Sequence, residues 1–254
     1  MSFELTFLGT GAADFSPELE TFCKDRFDSD IRRCSSVLVN GHILIDCGPH
    51  TVGALNILKI PLSSVTDIFL THLHDDHFRP EAVSELIVHG AKLRIRCRAD
   101  ADLQLTGAQI IGIAPLTEYD CSGITVSAIE ANHDAFPVHY IFQHGGKKFF
   151  YGCDGAWMLN KGYYYLKNAA FDAMILDATV GDYDGDYRMA EHNSIPMIRM
   201  MLKSFASFGI TTADTKIYLS HMSRGLHHDT HAERTARLAP EGMIPVYDGM
   251  TIHI

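Results

Sequence analysis

The stretch Thr71-His72-Leu73-His74-Asp75-Asp76-His77 places four metal-competent side chains, His72, His74, Asp76 and His77, within six residues. The apolar run 67–70 before it reads as a buried strand, and residues 79–86 after it read as the opening of a helix. A strand-to-helix turn is therefore expected. Its two-residue step aims His72 and His74 the same way, and Asp76 and His77 should lie at the helix N-terminus, where anionic groups are favoured. Imidazoles and carboxylates without thiolates suit zinc, and also iron or manganese, in a site with open positions. Four ligands from one segment cannot complete two metal sites, and a chain with 15 His can produce a His-rich solvated turn by chance. The remaining ligands have to be sought elsewhere.

Several strand exits elsewhere carry the right chemistry. Residues 3–8 form a first strand that ends in Gly9-Thr10-Gly11, a turn with freedom for positive φ and only weak evidence of phosphate binding. Residues 12–33, polar and irregular, read as a long surface loop near the site. Asn40-Gly41 signals a tight hairpin whose second strand runs into Asp46-Cys47-Gly48 and then a helix over 51–59. Asp46 is either a helix-capping residue or a carboxylate that orients a ligand, and the sequence leaves both open. Strands over 124–129, 148–152 and 216–220 exit at His133, Asp154 and His221. Asp134 and His139 flank the first of these; Asp134 is expected to face solvent or the loop.

Other features have plainer readings. The acidic run 182–186 lacks the spacing of a calcium loop and reads as a surface loop. Residues 190–196 open a helix with Asn193 or Ser194 as cap, and Met197, Ile198, Met201, Leu202 and Phe205 form its core stripe. His227, His228 and His231 fall at helical spacing and are expected on a solvated helix face. Residues 245–247 and 250–254 flank Asp248-Gly249 as a closing hairpin.

Composition narrows the function. With 254 residues and 46% hydrophobic content, the chain suits one domain, 1–254, of sandwich type. The start carries no basic apolar leader and no 18-residue apolar run occurs, so a cytoplasmic protein without a membrane partner is expected. Six scattered Cys without a C-x-x-C pair suggest reduced thiols. The net charge of −10 disfavours nucleic acid as a partner and favours a small substrate. The oligomeric state stays open, a homodimer included.

The H-x-H-x-D-H pattern resembles the signature of the metallo-β-lactamase-fold hydrolases. Within them the chain is most similar to the phosphoribosyl 1,2-cyclic phosphate phosphodiesterases of phosphonate breakdown, and more distantly to the tRNA 3′-processing endonucleases. The matching stretches are 7–11, 33–36, 45–48, the metal motif, Gly152-Cys153-Asp154, Glu191-His192-Asn193-Ser194 and Leu219-Ser220-His221. The resemblance implies an α/β fold, an αββα sandwich of two mixed sheets flanked by helices. It implies two divalent metal ions, zinc or manganese with iron as a further option. His72, His74 and His133 would bind one, Asp76, His77 and His221 the other, and Asp154 would bridge them. It further implies that Asp46 orients a ligand His, and that a bridging hydroxide cleaves a small phosphodiester, cyclic ones included. Asp76 and His192 would be the catalytic side chains, His192 serving the leaving group. An acyl hydrolase for a lactone, amide or thioester is the alternative on this scaffold, and a non-catalytic metal-binding scaffold ranks below both.

Two departures from the pattern matter. The phosphodiesterase family's additional structural zinc uses a Cys cluster after the first strand and a His three residues beyond the last ligand. Here the loop offers Cys23 and Cys34, and the later position is Arg224, so no third zinc is expected. The tRNA enzymes' long basic arm also has no counterpart.

Overall fold

The computed structural model describes residues 2–254. Alternation along the strands builds it. In β1 (Glu4–Gly9), Leu5 and Phe7 point to one side and Leu8 to the other; in β2 (Ser36–Val39) and β3 (Ile43–Ile45), Val37, Val39, Ile43 and Ile45 share the first side while Leu38 and Leu44 share the second. Strands that are apolar on both faces must be covered on both. The first face packs against the second sheet, and the other lies under α2 (Thr51–Ile57) and α3 (Pro80–Val88), through Val52, Leu55, Val83 and Leu86.

The first sheet continues with β4 (Asp67–Phe69), β5 (Arg94–Arg98) and β6 (Gln109–Ile113), and its order is β14-β1-β2-β3-β4-β5-β6, where β14 is Thr251–His253. The second has β7 (Glu118–Cys121), β8 (Ile124–Glu130), β9 (Val138–His144), β10 (Lys147–Gly152), β11 (Ala173–Asp177), β12 (Lys216–Ser220) and β13 (Met243–Pro245), in the order β13-β12-β11-β10-β9-β8-β7. Each sheet is half antiparallel and half parallel. Phe142 and Phe149 stack between the sheets at 4.9 Å. The outer face of the second sheet is covered by α4 (Asn160–Tyr165) and α5 (Ile195–Ser207), with Ile195, Ile198, Met201 and Phe205 buried. This is the expected αββα sandwich of two mixed sheets flanked by helices. Among the described residues no helix is long and apolar enough to cross a membrane.

Asn40 and Gly41 (φ 51° and 73°) make the expected tight hairpin turn, and Ser194 caps α5. Four expectations need correction. Gly9 and Gly11 do not adopt positive φ. A Cβ on Gly9 would lie 2.0 Å from the Cys34 carbonyl oxygen and one on Gly11 2.8 Å from Arg32 Cβ, so these glycines serve close strand approach. Residues 12–33 include the helix α1 (Pro17–Phe22) and end in buried Arg32 and Arg33. Buried Asp248 fastens that end, accepting from the Arg33 backbone at 2.8 Å and from Thr10 Oγ1 at 2.9 Å. Asp248-Gly249 closes no hairpin: β13 joins β12 in the second sheet while β14 pairs with β1 in the first, so the turn carries the chain across the sandwich. His227 and His228 precede α6 (His231–Leu238); His227 Nε2 packs on the Ala178 carbonyl at 2.7 Å, where burial pushes its pKa down to about 4.

Asp67 is a buried charge in β4. Arg94 Nε reaches it at 2.9 Å, Thr66 Oγ1 at 2.8 Å, and the buried Arg96 also pairs with it. Burial opposes its ionisation, yet these partners hold its pKa below the ordinary value. Its stabilising contribution is therefore present above the unfolded value of about 3.9 and is lost as pH falls through the lower folded value. Asp67→Asn should cost about 3 kcal/mol near neutrality, because it strands a buried guanidinium. Urea titrations from pH 3 to 7 should show the deficit shrinking at the acid end; a constant deficit would refute the ionic origin.

Candidate metal centre

Four strand exits meet at one edge of the sandwich. β4 leads to His72, β8 to His133, β10 to Asp154 and β12 to His221. The helix expected over 79–86 is α3, from Pro80, but Asp76 and His77 do not lie at its N-terminus: residues 75–77 form a turn closed by the His77 and Phe78 amides on the His74 carbonyl, at 3.0 and 2.8 Å. Asp76 and His77 are thus placed by turn geometry, not by a helix dipole. Gly48 makes room for this turn, since a Cβ there would lie 1.9 Å from the Asp76 carbonyl oxygen.

Ring nitrogens then face each other at ligand spacing. His72 Nε2 lies 3.0 Å from His74 Nδ1, which lies 3.2 Å from His133 Nε2. Across the cleft, His77 Nε2 lies 3.0 Å from His221 Nε2 and 3.3 Å from Asp76 Oδ2. Between the groups sits one atom, Asp154 Oδ2, at 3.9 Å from His72, 3.5 Å from His133, 3.8 Å from His77 and 3.3 Å from His221. Ligands at 2.0–2.1 Å on a tetrahedral cation are roughly 3.3 Å apart. The donor set and its spacing therefore fit divalent cations, and each triad, with Asp154 between them, can hold one.

The electrostatics agree. Burial and the neighbouring His77 push His72 well below its ordinary pKa, and burial likewise lowers His133, so both present neutral imidazoles as ligation requires. Burial opposes charge on His77 and Asp76, but the carboxylates of Asp76 and Asp46 raise His77, while His77 and His221 lower Asp76. A cation would take the place of that trapped proton.

The rings are oriented from behind. Asp46 Oδ2 accepts from His77 Nδ1 at 2.8 Å and from Thr71 Oγ1 at 2.9 Å, which selects the orienting reading over the helix cap. Thr71 Oγ1 meets His72 Nδ1 at 3.0 Å and Thr179 Oγ1 meets His221 Nδ1 at 2.7 Å. Asp134 is exposed as expected, yet its Oδ1 lies 2.7 Å from His74 Nε2. His139 is buried away from the ligands with Nε2 3.1 Å from the Asp154 carbonyl, and burial pushes its pKa down to about 4.

His192 stands beside the cluster. Its Nδ1 lies 2.5 Å from Asp154 Oδ1 and 3.2 Å from Asp177 Oδ2, and its ring stacks near that of His221. Asp177, which the sequence reading passed over, also receives the Thr179 and Asn193 amides at 2.9 and 3.1 Å. The signal was available: an acid at the exit of the strand between two ligand-bearing strands must emerge at the same edge. The surrounding cleft, about 370 Å³, is also lined by Asp14, Thr179, Arg188, Glu191 and Ser223.

The metallo-beta-lactamase superfamily sequence model matches residues 30–79, the segment from Asp30 through the metal motif. The chain has the metallo-β-lactamase fold. The structure is similar over its full length to YhfI from Bacillus subtilis (TM-score 0.74, 15% identity, 99% of that chain), and over 99% to zinc-bound PqqB from Methylobacterium extorquens (TM-score 0.71, 16% identity, 100% of that chain). It is also similar over 98% to the short form of human tRNase Z, 98% of which is covered (TM-score 0.68, 21% identity). In sequence, 78 residues are 38% identical to the Homo sapiens zinc phosphodiesterase ELAC protein 1, and 78 are 33% identical to the anti-Pycsar protein Apyc1 of Paenibacillus xerothermodurans. These segments span 31% and 30% of this chain but 19% and 26% of those relatives. Fold and His/Asp clusters together are consistent with a metal-dependent hydrolase.

Because Asp154 Oδ2 lies within reach of both groups, Asp154→Ala should lower metal content from about two equivalents per chain to below one. Asp46→Asn, which disturbs the orientation of His77 and of the Thr71 hydroxyl behind His72 without removing a ligand, should weaken affinity by roughly 10–100-fold. Elemental analysis after gel filtration reads both; full occupancy in Asp154→Ala would place the bridge elsewhere.

Proposed function

We propose that the protein is a dinuclear metal-dependent phosphodiesterase acting on a small diester. The observation that carries this reading is the position of Asp154 Oδ2 between His72, His74 and His133 on one side and Asp76, His77 and His221 on the other. These seven residues would hold the two cations, zinc or manganese, with iron as the further option. Bound there, the pair would supply Lewis acidity and a nucleophile near neutral pH. Apolar layers drawing on residues from Phe3 to Ile252 support reading 1–254 as one domain.

The chain's own residues supply the rest. Asp76 binds as a ligand and fixes the charge of its site. His192 has Nδ1 turned to Asp154 and Asp177, which leaves Nε2 as the nitrogen available to substrate. Burial opposes its charge, yet hydrogen bonds to the two carboxylates push its pKa up to about 11. An imidazolium so held can donate from Nε2 to a departing alkoxide, and that requirement is more pressing for a phosphodiester than for an activated acyl group. Similarity over 78 residues to a relative named zinc phosphodiesterase favours phosphorus. The motif resemblance to the phosphoribosyl 1,2-cyclic phosphate phosphodiesterases suggests a cyclic diester. The acyl-hydrolase alternative keeps the same metal centre and differs only in the electrophile.

His192→Ala should retain both metals and lower kcat by roughly 10²–10⁴-fold on a diester with a poor leaving group. The loss should shrink for bis-p-nitrophenyl phosphate, whose leaving group departs without a proton. An equal loss on both substrates would exclude proton donation by His192. Turnover of a lactone with none of any diester, in zinc- and manganese-loaded protein, would overturn the phosphodiesterase reading.

A further inference from the structure

Arg188 is the one guanidinium among the described side chains lining the metal cleft; its neighbours there include Asp14, Asp76, Asp154 and Glu191. An anionic substrate approaching the cations must pass those carboxylates, so the site needs a fixed positive donor at its mouth. Arg188 is built to be one. Asp186 Oδ1 accepts from Arg188 Nε and Asp186 Oδ2 from Arg188 Nη2, both at 2.9 Å, and the guanidinium lies over the Tyr187 ring at 5.2 Å. The fork is thus oriented on one edge and one face, while Nη1 has no hydrogen-bond or ion-pair partner among the described residues. A guanidinium held in this way loses little side-chain freedom when it meets phosphate.

The segment that carries it is fastened too. Asp182 pairs with Arg199 at 3.1 Å and with Arg237, and Tyr183 Oη meets His228 Nε2 at 2.7 Å. The Arg188 carbonyl receives the His192 amide at 2.8 Å, so Arg188 and His192 belong to one turn. Of the cleft's acids, Asp14, Asp76 and Asp154 are already engaged. Asp14 Oδ2 accepts from Ser223 Oγ and the Gly225 amide, both at 2.9 Å, and Asp76 and Asp154 face the ring nitrogens.

We infer that Arg188 is the anion-binding, specificity-determining residue of the cleft: its free Nη1 donates to a non-bridging phosphoryl oxygen, so that the site favours phosphodiesters over neutral acyl substrates. This rests on the phosphodiesterase reading for the identity of the anion, but not for the binding itself. It places Arg188 beside the reaction as a recognition residue, with Asp186 as its positioning residue.

The test uses metal-loaded wild type, Arg188→Ala, Arg188→Lys and Asp186→Asn, each checked for metal content and circular dichroism. The substrates are bis-p-nitrophenyl phosphate and the neutral p-nitrophenyl acetate, and inorganic phosphate binding is read by calorimetry. Arg188→Ala should raise KM for the diester and the phosphate Kd by roughly 10–100-fold, the range for a hydrogen bond to a charged group. It should leave kcat within a few-fold and the acetate reaction unchanged. Arg188→Lys and Asp186→Asn should fall between, since one keeps the charge without the fork and the other the fork without its support. Equal KM and equal phosphate Kd in Arg188→Ala and wild type would overturn the inference, as would failure of wild type to bind phosphate. Arg188-dependent phosphate binding in a protein that cleaves no diester would support the inference while overturning the phosphodiesterase reading.

Discussion

The protein depends on one arrangement: a single carboxylate oxygen, Asp154 Oδ2, within 3.9 Å of four imidazole nitrogens that come from distant parts of the chain. Ring nitrogens there also face one another at 3.0–3.2 Å, a spacing that crowds lone pairs unless a proton or a cation lies between them. The fold therefore has to hold it by force from elsewhere. It does so through parallel strands whose exits are fixed by the sheet, and through orienting partners behind the rings of His72, His74, His77 and His221. His133 is the exception: its Nδ1 is buried without a partner among the described residues, and Glu191 lies in the same cluster.

The two sheets divide the labour. The first supplies the dense motif, and buried Asp46 ties its strand end to Thr71 and His77. The second supplies Asp154, Asp177 and His221 from three successive parallel strands, which explains why Asp177 can touch both His192 and His221. Backbone strain sits where the halves meet. Asp46 and His221 both adopt positive φ, 64° and 55°, a conformation that non-glycine residues hold only when the surrounding hydrogen bonds over-determine it. Here those bonds are the ones from Thr71, His77 and Thr179.

The structure also accounts for how the loop 12–33 is anchored. Its final residues Arg32 and Arg33 are buried against Asp248 and Thr10, and Asp248 is itself raised to about 6 by burial, despite accepting from Arg33 and Thr10. A carboxylate at the turn that crosses the sandwich thereby couples the loop to both sheets. Residues 182–190, which bring Arg188 to the same cleft, are pinned by Asp182 and Tyr183, so both segments stand on polar contacts made before any ligand arrives.

Much of this was legible in the sequence because it is encoded locally. The unbroken apolar runs 37–39 and 43–45 dictate strands covered on both faces, Asn40-Gly41 dictates the turn, and the crowding of His72, His74, Asp76 and His77 into one segment announces a metal. Strand ends at His133, Asp154 and His221 could be read as candidates for the same reason. What the sequence could not decide were contacts between residues far apart in the chain. The roles of Gly9 and Gly48 depend on which backbone passes them, the fate of Asp248-Gly249 on which sheet claims each neighbour, and the importance of Asp134, Thr179 and Asp177 on which ring nitrogen turns toward them. Local periodicity fixes which face of a strand is buried. Only tertiary packing fixes what that face, or that strand's end, will meet.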